Sequence, residues 1–247
     1  MKASPTDQLR LLELQGMDTR LDQLAHRRKS LPEHADLARL DAELRHVSDL
    51  LVAAETEQGD VEREQAKADA DVEQVRARAA RDQRRLDAGH VSSPKELESL
   101  QHEIASLARR QSELEDVELE VMERLEGVQQ RLAELGARRD ELDGERTSVL
   151  TRRDAALATI DEDAGTTREL RNVLAGQIAP DLVALYEKIR AQNGGIGAAA
   201  LQHRRCQGCR LELNTTDINR IRDAVEDEVL RCEECRRILV RTAESGL

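Results

Sequence analysis

The chain has 247 residues, of which 36% are charged and 39% hydrophobic, and its net charge is −12. Its only aromatic residue is Tyr186, so the rings that fill ordinary globular cores are missing and Leu, Val, Ile and Ala must do the packing. This profile excludes one large globular core and fits long helices and coiled coils. No stretch approaches the ~18 consecutive apolar residues of a membrane span. The opening MKASPTDQLRLLEL has neither the apolar core nor the cleavage site of a signal peptide. A cytosolic, reducing setting is therefore expected, in which cysteines serve as metal ligands more often than as disulfides.

Near the start, Leu14, Met17, Leu21, Leu24 and Leu31 form one heptad stripe ahead of Pro32. The segment SLPEHADL breaks its register, and Ser30 and Glu33 have capping-box spacing. A short helix, a kink near 30–33 and a long helix are predicted. From Leu37 to Leu86, steps of three and four meet 15 positions, 12 of them apolar; from Leu97 to Ile160 the same stepping gives 14 of 19. Apolar heptads sustained this far specify a left-handed coiled coil. Between the runs, LDAGHVSSPKELESL supplies Gly89 to end a helix, Pro94 to begin one, and Ser93 with Glu96 as a capping box.

The chain should thus reverse near 88–93 and pair its own two arms antiparallel. The second arm, from Pro94 to about Asp163, would be roughly 100 Å long. A parallel dimer would have to carry the Gly-His-Val-Ser-Ser-Pro break inside a continuous rod. The N-terminal helix is expected against residues 150–170. The seam positions Gln58, Gln65, Gln111, Arg139 and Arg146 are polar and would fix register. His90 at the tip reads as an exposed residue rather than a ligand. Beyond Asp163 the pattern loosens into two shorter helices with a break at Ala179-Pro180, and Tyr186 is expected to pack the C-terminal domain onto the hairpin. The division is a hairpin over 1–165 and a helical linker with a small domain over 166–247.

All four cysteines lie in that last part, as the Cys-x-x-Cys pairs Cys206/Cys209 and Cys232/Cys235, 22 residues apart. A two-residue spacer lets one tight turn aim both sulfurs at a single ion, and two such turns complete a tetrahedron of thiolates. One structural Zn2+ is the expected cofactor, and four protein ligands leave no open position for catalysis. A redox reading would need a βαβ setting that the sequence lacks, and His203 is superfluous as a ligand. Short strands are expected at Leu211-Glu212-Leu213 and Arg237-Ile238-Leu239-Val240, with a helix between them capped by Thr216 and carrying Ile218, Ile221 and Val225. The fold class is mainly α: a long antiparallel coiled-coil hairpin plus a small zinc ribbon with short β-strands.

The segments LLELQGMDTRLDQL, SSPKELESLQHEI, LYEKIRAQNGGIG and CQGC…LRCEECRRILV resemble, over nearly the whole chain, a bacterial family of coiled-coil hairpins with a C-terminal four-cysteine zinc ribbon. That resemblance implies nucleic-acid-binding or adaptor proteins. One branch, in flagellated bacteria, is similar to an adaptor for an alternative sigma factor and flagellin message. The chain departs from the family in having Val240 where an aromatic is usual, and in its 33 arginines against 5 lysines.

Charge divides the chain. Residues 1–180 hold 27 Lys+Arg against 39 Asp+Glu, whereas 181–247 hold 11 of each. The helical part should repel nucleic acid, whose binding depends on phosphate neutralisation. Arg204, Arg205, Arg210, Arg231, Arg236 and Arg237 crowd the cysteine pairs. They either offset the formal −2 of a Zn2+ tetrathiolate or form a phosphate- or partner-contacting face, without an aromatic platform for stacking bases. No nucleophile–base pair, Gly-rich phosphate loop or carboxylate cluster points to an enzyme or to a small-molecule substrate. Three readings follow: an adaptor for protein partners with a link to transcription, a nucleic-acid-binding protein working through the ribbon, and a factor inserting its tip into RNA polymerase. The third wants acidic residues at the tip, where only Asp87 approaches.

Overall fold

The computed structural model describes residues 1–89, 91 and 93–247; the expectation for His90 lies outside the described residues. Helix α1 (Pro5–Lys29) starts with Ser4, whose hydroxyl accepts from the Asp7 amide at 3.0 Å, and Pro5 takes the first turn, where no amide is needed. Helices α2 (Pro32–Asp87) and α3 (Pro94–Ala175) follow, then α4 (Pro180–Gln192). The C-terminal part contains strands β1 (Ala198–Gln202) and β2 (Arg205–Cys206), helix α5 (Thr215–Asp223), and strands β3 (Leu230–Arg231) and β4 (Ile238–Val240). No helix among the described residues is long and apolar enough to cross a membrane. The molecule is a coiled-coil hairpin followed by a small sheet domain, the fold class the heptads and cysteines predict. It divides into two compact units, Met1–Ala35 with Leu150–Leu247, and Asp36–Val149.

In the Asp36–Val149 unit, α2 and α3 run antiparallel. Every seventh residue is buried along long stretches of each: Leu40, Val47, Ala54, Val61 and Ala68 on α2, and Leu100, Leu107, Leu114, Val121 and Val128 on α3. Ion pairs cross the seam in strict antiparallel order, from Arg85–Glu96 through Arg78–Glu103, Arg124–Glu64 and Arg131–Glu57 to Arg146–Asp41. They are solvated, worth at most ~1 kcal/mol each, so they set register more than stability. Of the polar seam residues, Arg146 reaches across to Asp41 at 2.7 Å. Gln58 and Gln111 instead bond Glu62 and Glu115 on their own helices, and Arg139 turns out to Asp140. Ser93 caps α3 through the Glu96 amide at 3.3 Å.

In the other unit, α1 lies along the C-terminal part of α3, as expected. Leu24 and Leu31 pack on Ile160 and Ala164, and Arg20 pairs with Asp163 at 3.3 Å. Two local expectations are corrected. Ser30 does not cap α2: its hydroxyl and amide both donate to the His26 carbonyl, ending α1. Pro32 already occupies the first turn of α2, so Leu31 precedes the helix and Ser30 sits one residue too early. Helix α3 also does not end near Asp163 but runs to Ala175. Its inward face there is simply more polar, with Thr167 and Arg171 among the apolar residues Ile160, Ala164 and Leu174.

The sheet has the order β2-β1-β4-β3 with β1 parallel to β4, pairing Ala198 with Ile238 and Ala200 with Val240. Alternation along these strands sends side chains to two different cores. Ala198, Ile238 and Val240 join Leu11, Leu14, Leu182, Tyr186 and Ile189. Ala199, Leu201 and Leu239 join Leu213, Ile218, Ile221, Cys206 and Cys232. The stretch Leu211–Leu213 is not a strand; only Glu212 bridges to Arg205. Helix α5 begins earlier than expected, because Asn214, not Thr216, is its cap. The Asn214 side chain accepts from the Asp217 amide at 2.8 Å and donates to the Asp217 carboxylate at 2.9 Å. Val225 falls outside the helix and is exposed.

Candidate metal centre

The two cysteine turns are built alike. In each, the amide four residues after the first cysteine donates back to that cysteine's carbonyl: Arg210 to Cys206 at 2.7 Å and Arg236 to Cys232 at 2.8 Å. The first cysteine's own amide donates to the residue five along, Cys206 to Leu211 and Cys232 to Arg237, both at 3.0 Å. Closing the turn puts Arg210 at φ 64° and Arg236 at φ 61°, the left-handed region that is costly for a residue with a Cβ. The amides on each turn face the sulfurs.

These turns bring the four sulfurs of Cys206, Cys209, Cys232 and Cys235 within 4.8 Å of one another. The cross-turn pairs Cys206–Cys235 and Cys209–Cys232 stand at 3.9 Å. A tetrahedron with Zn–S bonds of about 2.3 Å has edges of about 3.8 Å, so the donor set fits zinc in size and chemistry. Its electrostatics need the cation. Burial pushes the Cys206 and Cys232 thiols up. At Cys235 burial pulls upward too, but hydrogen bonds with the Arg237 backbone and side chain and with Cys232 and Cys209 together outweigh it and leave the thiol below its ordinary value. A bound Zn2+ would supply the positive charge that holds all four as thiolates. With four protein sulfurs the coordination sphere is closed, and the ion's contribution is to the fold.

The six nearby arginines have different surroundings. Arg237 is half-buried and donates to the carbonyls of Ile196 at 3.1 Å, Asn193 at 2.9 Å and Gly208 at 3.4 Å. It fits because a Cβ on Gly208 would stand 2.8 Å from its Cδ, and its guanidinium is committed to the interior. Arg204 donates to the Gly246 carbonyl. Arg205 lies 3.6 Å from Glu212, and Arg236 lies 3.1 Å from Glu233, which also holds Arg220 at 2.6 Å. Arg231 is half-buried on β3 and Arg210 is exposed; among the described residues, neither guanidinium has an ion-pair partner.

A second polar centre lies beside the sheet, and the sequence reading named only Tyr186 from it. Tyr186 is fully buried, and its hydroxyl donates to Asp18 at 2.7 Å. Asp18 is 2% exposed and also accepts from Arg171 at 2.9 Å, while Arg171 reaches Glu187 as well. Burial and the Asp18 carboxylate together push the Tyr186 hydroxyl far up, and hydrogen bonding to Asp18 does the same for Arg171. Gln15 accepts from the Gly197 amide at 2.7 Å and donates to the Gly195 carbonyl at 2.9 Å. The Asn-Gly-Gly-Ile-Gly segment is shaped by this packing: Gly194 and Gly195 have φ 63° and 89°, and a Cβ on Gly197 would meet the Tyr186 ring at 2.7 Å. Arg241, also missed, donates to the carbonyls of Ile221, Ala224 and Val225 that end α5. The Asn-Gly-Gly-Ile-Gly run that follows Tyr186 in LYEKIRAQNGGIG is a sequence signal that points here.

Comparison with known proteins agrees with this geometry. Residues 14–194 match the CT398-like coiled coil hairpin domain, and residues 205–239 match a C4-type zinc ribbon domain. The chain is 37% identical over 241 residues to the uncharacterized protein Rv2229c of Mycobacterium tuberculosis, covering 98% of each. It is similar to a structure from Mycobacterium smegmatis at 39% identity and a TM-score of 0.84, covering 98% of this chain and 100% of that one. The structure of CT398 from Chlamydia trachomatis shares the fold at 18% identity and a TM-score of 0.68, covering 96% and 98%. A hairpin matched over most of its length and a four-sulfur site matched as a ribbon place the chain in the CT398-like coiled-coil hairpin family.

Proposed function

We propose that the protein is a non-enzymatic adaptor of the cytosol, in which the coiled-coil hairpin and the zinc ribbon bind protein partners. One observation carries this reading. Residues 59–73 and 112–126, abreast across the Arg124–Glu64 pair, contain 13 Asp+Glu against 3 Lys+Arg. Leu119 and Met122, 58% and 39% exposed, stand one turn apart within that acidic stretch. A surface of carboxylates with unpartnered apolar side chains suits a basic protein surface and repels phosphate. The closed tetrathiolate site supports a structural rather than a catalytic ribbon. The link to transcription that the family resemblance implies would enter through such a protein partner.

Nucleic acid is the second reading, and it rests on Arg210, the exposed arginine of the first cysteine turn. Against it, Arg237 is committed to carbonyls and Arg205 and Arg236 face carboxylates. A tagged pull-down with and without nuclease, run beside an Asp116→Lys/Glu120→Lys/Glu123→Lys variant, separates the two. The adaptor reading expects partners that survive nuclease and are lost in the variant. Partners lost to nuclease and retained by the variant would establish nucleic acid instead.

A further inference from the structure

The β1–β4 pair is a wall shared by two cores. One face carries Ala198, Ile238 and Val240 into the core of α1, α3 and α4; the other carries Ala199, Leu201 and Leu239 into the core that contains Cys206 and Cys232. Neither face is closed by the strands alone, since β4 has three residues and β3 two. Arg237 stitches the wall at both ends. It follows the second cysteine turn, bonds the Gly208 carbonyl in the first, and bonds the Asn193 and Ile196 carbonyls where α4 gives way to β1. The Ile238 amide donates to the Gly197 carbonyl at 2.9 Å, and Gly197 lies directly against the Tyr186 ring. The path from the sulfurs to the buried tyrosine is therefore short and made of bonded backbone.

We infer that the ribbon is a metal-dependent latch: Zn2+ on the four cysteines holds the β1–β4 wall against α1 and α4, and loss of the ion uncovers the apolar face around Leu14, Tyr186 and Ile189. The core on the cysteine side is small and depends on the ion for its folding, as metal-clipped units do. The opposite core has its own helices, so it persists but loses one wall. Arg237 is the positioning residue that transmits the change, since it is bonded to both cysteine turns' neighbourhoods and to the end of α4. This coupling is independent of which macromolecule the protein binds.

Tyr186 is the only fluorescent side chain, as the chain has no Trp and no Phe, and it is fully buried. The full-length zinc-loaded protein is stripped with a chelator while tyrosine emission, its quenching by acrylamide and far-ultraviolet circular dichroism are recorded. Quenching should rise several-fold as zinc leaves, return when zinc alone is added back, and change far more than the helical signal. Arg237→Gln retains all four sulfurs and should show partial quenching with zinc bound, together with faster zinc release. Should the stripped chain aggregate, this zinc-loaded variant supplies the deciding measurement. Tyr186 equally protected with and without zinc, or an Arg237→Gln protein indistinguishable from the parent in both readouts, overturns the latch.

Discussion

At the scale of single residues, Asp18 organises the helical core beside the sheet. It takes hydrogen bonds from Tyr186 and Arg171 while 2% exposed, and the Arg171 side chain is itself only 17% exposed. Replacing Asp18 by Ala leaves a buried guanidinium and a buried hydroxyl without their main acceptor, a change that costs ~3–5 kcal/mol in comparable buried pairs. Urea unfolding followed by Tyr186 emission should show a loss of that order, and a midpoint within error of the parent would refute the role. No sequence rule could single this residue out. It is one of the chain's 50 acidic residues and lies on a charged helix, and its partners stand 153 and 168 positions away. The cysteines were legible for the opposite reason: two ligands per turn is a local geometric requirement, written in four adjacent positions.

At the scale of elements, periodicity located the long helices because a seven-residue repeat of buried positions is what an α2–α3 seam imposes. Their ends were harder. The apolar stripe of α3 fades near Asp163, yet the helix runs on to Ala175, about three further turns in which polar packing by Asp18 and Arg171 substitutes for the stripe. Helix α5 was entered through the wrong residue, since Thr216 and Asn214 are both good caps and only the folded turn decides between them. That distinction can be measured. Asn214→Ala should weaken α5 by ~1 kcal/mol, the usual worth of a cap, seen as several-fold faster hydrogen exchange at Ile218–Asp223. Thr216→Ala, inside the first turn, should leave those amides almost unchanged. Equal effects of the two substitutions would contradict the assignment.

At the scale of the whole molecule, charge and metal are kept apart. Asp36–Val149 holds 17 Lys+Arg against 29 Asp+Glu, the entire net charge, and the unit that contains the cysteines balances 21 against 21. A balanced unit can gather arginines around a tetrathiolate without a large net field, and the acidic hairpin unit carries the negative field that the proposed basic partner would meet. Everything proposed for the ribbon, from the closed coordination sphere to the latch, depends on the ion being zinc held by four sulfurs. X-ray absorption at the zinc edge of the purified full-length protein, with metal analysis, tests this directly. The account predicts one zinc per chain with four sulfur neighbours at about 2.3 Å; a first shell containing nitrogen or oxygen, or protein that binds no zinc, would contradict it.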